Sequence, residues 1–590
     1  MIADLNGPGH YLRWSILTIS EANLIVVLVM LLLFFLAVVL PFPRGKIADL
    51  NEAGGGDPHQ IASESAPLGW TGRVRVAWLR VLPPGKLLPD TQPAYVQSWA
   101  YVFGVATLAA LGVVVASGVA IAVGGVDWWH SNSIGHFLNS LHLWSVELFM
   151  AFMVIHLWVK FWMAAWRGGR AKTWITGVLA FVASVVEAFT GYLSQQNFDA
   201  QWIATNGKDA FNAGGVGAFF NLMNFGQMLL WHIVLVPIVL IALIGGHVLL
   251  VRAKGVVRPI AMGNQVAVGE SRRRRSRARH AADAAEWQGP QRHYDIIKEG
   301  AIATAIALIA SFVLAGLFSS PDDPAVTIRA WAQAQPADFV GTAANELGGA
   351  SGTAGYGPPY TPGDGGAQTV GVSWQKLAGV RIAIDPPNDF VLTPLSKVAA
   401  LSPPLSDAIK TFQAASPDQQ ATWVKAFIDG LPDATSTASP LINTGSGFGP
   451  VRVLMDAELT LAQNGALDSD LVKNSGFYGT DFTRPLLFLE DGQFYKDQAT
   501  NANLTGNQWG VTNETGSYPG QPWLWLYQLW YQVGPLPTSP NVDLWAIYLT
   551  FAATMLLMLV PFIPGVRDIP RWIPMHRLIW RKGKVNLPPH

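Results

Sequence analysis

Two stretches decide how this chain is read: HLWSVELFMAFMVIH at residues 142–156 and HIVLVPIVLIALIGGH at residues 232–247. Each is an apolar run with an imidazole at both ends, His142 and His156 in the first, His232 and His247 in the second. Polar side chains at membrane depth are expensive and mark function by default. The spacings are 14 and 15 residues, so each pair spans roughly 21–23 Å along a helix. Fourteen steps end about 40° short of whole turns and fifteen about 60° beyond, which leaves both members of a pair on broadly one face. Two such helices side by side offer two His–His couples, one near each membrane surface. A bis-imidazole couple on facing helices suits a low-spin b-type haem. The plainer alternative, isolated histidines bonded to carbonyls, explains one such residue more readily than two matched pairs.

Glycine gives a separate indication. A flat macrocycle needs neighbours without side chains where it approaches a backbone. The apolar stretch before the first pair holds Gly104 and Gly118, and the stretch after it holds Gly177 and Gly191. Transmembrane glycines also serve helix packing, but both pairs are 14 apart, the spacing of His142 and His156.

Of the 590 residues half are hydrophobic and only 13% charged, against roughly 25% charged in soluble chains. That excludes a disordered, fibrous or ordinary cytosolic protein. Cysteine is absent, which excludes disulfides, thiolate zinc sites, Cys-ligated iron–sulfur clusters and CxxCH haem attachment. Any redox cofactor is therefore held by His, Met, carboxylate or non-covalent contacts. The 24 tryptophans fit the aromatic belts of membrane interfaces.

Seven stretches approach the ~20 apolar residues that a bilayer core requires: about 15–41, 98–123, 137–165, 173–193, 226–252, 300–319 and 542–564. The first lacks a basic n-region and an A-x-A site, so it reads as a retained helix rather than a signal peptide. Arg and Lys crowd into 44–86 (Arg44, Lys46, Arg73, Arg75, Arg80, Lys86), 160–172 (Lys160, Arg167, Arg170, Lys172), 252–279 with Arg272 to Arg275, and the tail with Arg567, Arg571, Arg577, Arg581 and Lys582. If all seven helices span, these four segments share one side, which the positive-inside rule makes cytoplasmic. The N-terminus is then outside and the C-terminus inside. On a membrane chain RRRRSRAR reads as an orientation signal or a contact with anionic lipid, not as nucleic-acid binding.

The expected organisation is an N-terminal helix (1–45), a cytoplasmic basic segment (46–96), a four-helix core (97–255), a cytoplasmic basic loop (256–297), a helix (298–320), an extracytoplasmic insertion (321–540), a last helix (541–565) and a cytoplasmic basic tail (566–590). The insertion is too long for a simple connection. With 10 Lys and Arg against 20 Asp and Glu, it carries a formal charge of −10. Apolar clusters at 391–405 and 423–431 indicate a small folded domain of mixed or irregular structure, and its acidity suits docking of a basic partner. The fold class is thus all-α integral membrane: a four-helix dihaem bundle, about three further helices and an inserted domain.

The order Gly104/Gly118, His142/His156, Gly177/Gly191, His232/His247 resembles cytochrome b, the dihaem subunit of bc-type quinol oxidoreductases. The resemblance covers about 95–320, and Thr190-Gly191-Tyr192-Leu193 with Gln196 and Trp202 looks like the family's turn after its third core helix. It implies that His142 and His232 hold the iron of an outer haem and that His156 and His247 hold that of an inner one. It also implies a quinone as substrate, an extracytoplasmic iron–sulfur or c-type cytochrome partner, and a multi-subunit complex of the kind that can dimerise. No nucleic acid is implied. Lys160, four residues after His156, is a candidate partner of an inner-haem propionate.

The chain also departs from the family. The Pro-Glu-Trp-Tyr motif used for outer quinol oxidation has no counterpart with Glu. The nearest segments are Gln335-Pro336-Ala337-Asp338-Phe339 and Pro522-Trp523-Leu524-Trp525-Leu526-Tyr527. The family's last two helices are absent, an extra helix precedes the core, and Asn139 stands where an Arg is usual. A quinol must lose two protons, and a carboxylate in reach serves as base. Glu147 and Glu187 are candidate proton acceptors, and Asp338 is a third. The expected function is transmembrane electron transfer between a quinone site, favoured on the inner face, and an outer redox partner, as part of a quinone-linked oxidoreductase. The alternatives are full quinol oxidation with Glu187 or Glu147 as outer base, a haem-bearing anchor of a non-quinone oxidoreductase, and a transporter or adhesin whose histidines are structural.

Overall fold

The computed structural model describes residues 5–7, 9–14, 17–42, 69–81, 87–260, 287, 289–321, 323–363, 365–432, 447–474, 479–502, 504–505, 516–520 and 525–580. Arg44, Lys46, Lys86, Arg272 to Arg275, Arg581, Lys582 and Pro522 to Leu524 lie outside the described residues. Among the described residues, seven helices are long and apolar enough to cross a membrane. They are α1 (Glu21–Val39), α2 (Phe103–Gly124), α3 (Ser133–Trp162), α4 (Ala171–Leu193), α6 (Phe225–Lys254), α7 (Ile296–Phe318) and α15 (Val542–Leu559). A helix that the sequence reading did not anticipate, α5 (Phe198–Ala213), connects α4 to α6.

Side-chain caps set several boundaries. The first span begins at residue 21 rather than 15 because β1 (Tyr11–Trp14) and β2 (Leu17–Ser20) pair antiparallel before it, and Ser20 then accepts from the Asn23 N–H. Asn132 accepts from the Ile134 and Gly135 N–H groups and starts α3 four residues earlier than its apolar run. Asn197, Asn224 and Asp295 cap α5, α6 and α7 in the same way. Each cap supplies acceptors for amides that have no intrahelical partner. A second short pair joins β3 (Thr91–Pro93) to β4 (Gln291–His293), with Gln92 opposite Arg292.

In the core, α2 packs along α3 and α4 along α6, while α7 lies against α2 and α3, and α15 against α4 and α5. Ser319 closes α7 in a left-handed conformation, φ 63°. Its hydroxyl meets His136 Nε2 at 2.9 Å and its carbonyl accepts from Trp144 Nε1 at 2.7 Å. Those two bonds, both to α3, explain why a non-glycine residue tolerates that strain.

The expectation of mixed or irregular structure for 321–540 is corrected by the described residues, which form mostly short helices. They include α8 (Ile328–Ala334), α9 (Pro336–Leu347), α10 (Pro403–Ala414), α11 (Pro417–Ile428), α12 (Val451–Gln463), α13 (Thr483–Asp491) and α14 (Gln493–Asn501). Pro336, Pro403 and Pro417 each open a helix, where their missing N–H costs nothing. The helices enclose Trp331, Phe339, Phe390, Phe412, Phe427 and Phe488, all buried. That hydrophobic core is continuous with Leu193, Phe198, Ala204, Leu222, Met223 and Met228 of the α4–α6 segment. Backbone and side-chain bonds seal the junction: Gly226 N–H to Thr480 O, Phe482 N–H to Met223 O, and Asn221 Nδ2 to Thr483 Oγ1. The insertion is therefore built onto the core as one packed unit.

Candidate functional site

The histidines sit where helix periodicity places them, and their surroundings are specific. His142 on α3 and His232 on α6 face each other with ring centroids 6.2 Å apart and planes at 83°. His142 Nδ1 contacts the Val114 carbonyl at 3.1 Å and Ser117 Oγ at 3.0 Å, both on α2. His232 Nδ1 contacts the Glu187 carbonyl at 3.0 Å, and His247 Nδ1 the Thr173 carbonyl at 3.0 Å, both on α4. A carbonyl oxygen only accepts, so in these three rings Nδ1 carries the hydrogen and Nε2 keeps its lone pair. That is the usual outer shell of a metal-ligating imidazole. His156 differs: its Nδ1 is buried without a hydrogen-bond partner.

Each glycine predicted to matter lies against one histidine. A Cβ at Gly118 would come 3.1 Å from His142 Cε1, and at Gly104 3.1 Å from His156 Cε1. At Gly177 it would come 3.0 Å from His247 Cε1, and at Gly191 only 2.4 Å from His232 Cε1. The four pairs thus join α2 to α3 and α4 to α6. These glycines, expected where a macrocycle approaches the backbone, each lie against an imidazole.

The segment of α6 that carries His232 is locally rewound. Between Trp231 and Leu235 the helix widens, and the Val236 N–H bonds to the Trp231 carbonyl, five residues back. Pro237 is the sequence cause: it has no N–H to serve the carbonyl four residues before it. A widened turn is one way a helix absorbs that defect, and such turns occur often at functional sites. Pro237 was a legible signal that the sequence reading did not use.

The remaining candidates are placed as follows. The Glu187 carboxyl lies on α4 with Oε1 3.4 Å from His232 Nδ1, and its Oε2 is buried without a partner. Glu147 is buried on α3, five residues from His142. Lys160 Nζ lies over the Tyr101 ring, 4.9 Å from its centroid, and 3.9 Å from Met163 Sδ. Asn139 donates to Gln195 Oε1 at 3.0 Å. Asp338 is a structural carboxylate rather than an available base. It accepts from Trp331 Nε1 at 2.7 Å and from the Gln493 and Phe494 amides at 3.1 and 3.0 Å, fixing the start of α14 inside the insertion.

The arrangement passes a direct test of fit to a metal between imidazoles. A metal–imidazole bond is about 2 Å, so two rings ligating one metal from opposite sides stand with centroids about 6 Å apart. The spacing of His142 and His232 matches that, with both Nδ1 atoms already engaged. These observations define an integral, multi-pass, mostly helical membrane protein whose central bundle carries paired histidines.

The comparisons narrow that class. Residues 147–321 match the family model described as cytochrome b (N-terminal)/b6. The match includes His156, Gly177, Gly191, His232 and His247 and begins after His142. A cytochrome bc complex cytochrome b subunit of Chlorobaculum thiosulfatiphilum is 28% identical over 136 residues, covering 21% of this chain and 32% of that protein. Cytochrome b6 of Heliomicrobium gestii is 26% identical over 139 residues, 21% of this chain and 64% of the relative. A menaquinol:cytochrome c reductase cytochrome b subunit of Geobacillus thermodenitrificans is 24% identical over 140 residues, 22% and 62%. The chain therefore spans between about a third and just under two thirds of the length of these relatives.

Proposed function

We propose that this chain is a dihaem cytochrome b that moves single electrons across a membrane between a quinone or quinol and a redox partner on the side of the insertion. The observation that carries this is the His142–His232 couple, with Nδ1 of each ring bonded to a helix carbonyl. His142 and His232 would hold one haem iron, and His156 and His247 the other. A b-type haem so ligated supplies reversible one-electron chemistry within the membrane. The chain's own part is to fix the tautomer and direction of the His142, His232 and His247 rings through the Val114, Glu187 and Thr173 carbonyls. Lys160, held near Tyr101, supplies positive charge at the His156 end.

The Arg and Lys distribution supports an outside N-terminus and insertion and a cytoplasmic C-terminus. The lack of cysteine requires that an iron–sulfur or c-type centre come from a partner subunit, as expected for a member of a multi-subunit quinone-linked complex. Quinone chemistry at the His156/His247 end follows from the sequence reading. A second reading, quinol oxidation at the His142/His232 end, is favoured by the acids gathered there, beginning with Glu187 beside His232. Glu147 is a second candidate acceptor.

The test is a reduced-minus-oxidised spectrum of the purified protein with a quinol titration. Two non-covalent haems per chain, fully extracted by acid acetone and reduced by quinol, are expected. Less than one haem per chain in intact protein, or pigment that resists extraction, would overturn the proposal. Protease added to spheroplasts should cut within 321–540 and spare the tail; protection of the insertion would reverse the topology.

A further inference from the structure

An apolar face on the insertion stays outside its buried core. Val372, Trp374, Leu377 and Val380 are all exposed, Leu377 to 70%. Beside them stand Val216 and Phe219 of the loop between α5 and α6, 51% and 65% exposed. Two contacts join the groups. The Arg381 guanidinium lies over the Phe219 ring, 5.7 Å from its centroid. Gly215 approaches Trp374 so closely that a Cβ there would stand 2.8 Å from the Trp374 carbonyl oxygen. A contiguous exposed apolar surface marks a place of contact with protein or membrane.

The level of this face is set by α15, one of the helices fit to span. The segment 368–374 runs down its first two turns. The Thr369 N–H donates to Asn541 Oδ1 at 2.8 Å, Gln368 Oε1 accepts from the Leu544 N–H at 3.2 Å, and Trp374 Nε1 donates to the Tyr548 hydroxyl at 2.7 Å. Because α15 begins at Val542, Tyr548 lies ~9 Å along it at 1.5 Å per residue. On the neighbouring loop a Cβ at Gly214 would stand 3.3 Å from Ile547 Cδ1, so that loop reaches the same depth. The 18 residues of α15 measure about 27 Å, against a hydrocarbon core of about 30 Å. The helix has no spare length with which to lift Tyr548 clear of the hydrocarbon, and Trp374 is bonded to it there.

Charge agrees with this placement. Between residues 365 and 384 the charged side chains are Lys376 and Arg381, both basic, in an insertion whose formal charge is −10. Both are exposed. Basic side chains at the rim of an apolar face lay their stems on hydrocarbon and raise their heads to the level of lipid phosphates, and Trp is enriched at the same interface. The exposed apolar surface of α6, with Ile238 at 61% and Val239 at 53%, and of α15, with Phe551 at 65%, continues the lipid-facing belt below.

We propose that residues 370–381 of the insertion, with Val216 and Phe219, are embedded in the bilayer. Phospholipid acyl chains of the leaflet on the insertion's side cover the apolar face, and anionic headgroups meet Lys376 and Arg381. The insertion then has a hold on the membrane besides its two flanking spans, of the kind that interfacial segments make. This hold is independent of the haem and quinone reading.

The chain has no cysteine, so one introduced cysteine reports one position. The full-length chain, purified with the subunits that accompany it, is reconstituted in phosphatidylcholine–phosphatidylglycerol vesicles with Leu377→Cys or Val372→Cys carrying a polarity-sensitive fluorophore. The same preparation without an introduced cysteine gives the background. Ile238→Cys on α6 is the lipid reference, and Lys410→Cys on α10, with 75% of its side chain exposed, is the water reference. Phosphatidylcholine spin-labelled on its acyl chain should quench Leu377→Cys and Val372→Cys as it quenches Ile238→Cys. Aqueous iodide, which quenches Lys410→Cys, should leave both bright. Iodide quenching of both at the level of Lys410→Cys would overturn the proposal. Shielding of both from iodide and from the lipid label would overturn it too, by showing the face covered by a subunit or a second copy. If Leu377→Cys fails to reconstitute, Val372→Cys decides.

Discussion

Replacing Gly191 by Ala puts a methyl group where His232 already stands. The added Cβ would lie 2.4 Å from His232 Cε1 and 2.9 Å from both ring nitrogens. Ordinary contact begins near 3.4 Å, so the ring must retreat by about 1 Å. It is pinned by the 3.0 Å bond from Nδ1 to the Glu187 carbonyl, and a shift of that size breaks the bond. Losing the bond costs about 1 kcal/mol, and overpacking adds about 1–3 kcal/mol. At 1.36 kcal/mol per tenfold, the sum of about 2–4 kcal/mol is a loss of roughly 30- to 1000-fold in affinity for whatever His232 ligates. Gly104→Ala, Gly118→Ala and Gly177→Ala meet their rings at 3.0–3.1 Å, where a few tenths of an ångström suffice. Haem content and the reduced-minus-oxidised spectrum of the four purified variants check this. Gly191→Ala should lose one haem signal and the other three should largely keep both. Equal losses in Gly191→Ala and Gly104→Ala would refute the assignment of the glycines as seats for the imidazoles.

Three further outcomes follow from the same geometry. His142→Ala and His232→Ala should remove one and the same haem signal, with His156→Ala and His247→Ala removing the other; spectra in which His142→Ala and His232→Ala delete different signals would break the pairing. Lys208→Met leaves Asp209 and Glu490 without their cation inside the junction and should destabilise the insertion by about 3 kcal/mol, while Lys208→Met with Glu490→Leu should recover most of it. Thermal unfolding of the full chain measures this. Glu346 is buried and accepts from Ser351, and burial first, then the nearby Asp491, pushes its carboxyl up to about 10. The folded state therefore holds a proton that the unfolded state releases above about 4.5, so this stabilisation is complete below that pH and lost as pH rises toward 10. Unfolding midpoints from pH 5 to pH 9 should fall less steeply in Glu346→Gln than in the unaltered chain, and identical slopes would remove Glu346 as the cause.

The sequence by itself determined the seven spans, the four intramembrane histidines and the four glycines that meet them. Both kinds of signal are local: apolar length measures bilayer thickness, and a spacing of 14 or 15 residues repeats a helix face. Charge also marked 321–540 as distinct, but charge is a surface property and says nothing of what lies beneath. Only tertiary structure decided that Phe339, Phe390 and Phe488 share one core with Phe198 and Met228. Non-local packing likewise buried Asp338 as the acceptor for α14, turned Lys160 toward Tyr101, and brought Lys208 to Glu490 and Trp174 to the Leu557 carbonyl. No period or motif relates residues more than 300 positions apart. Their meeting is fixed by which apolar faces bury one another, and the polar groups beside those faces are carried along.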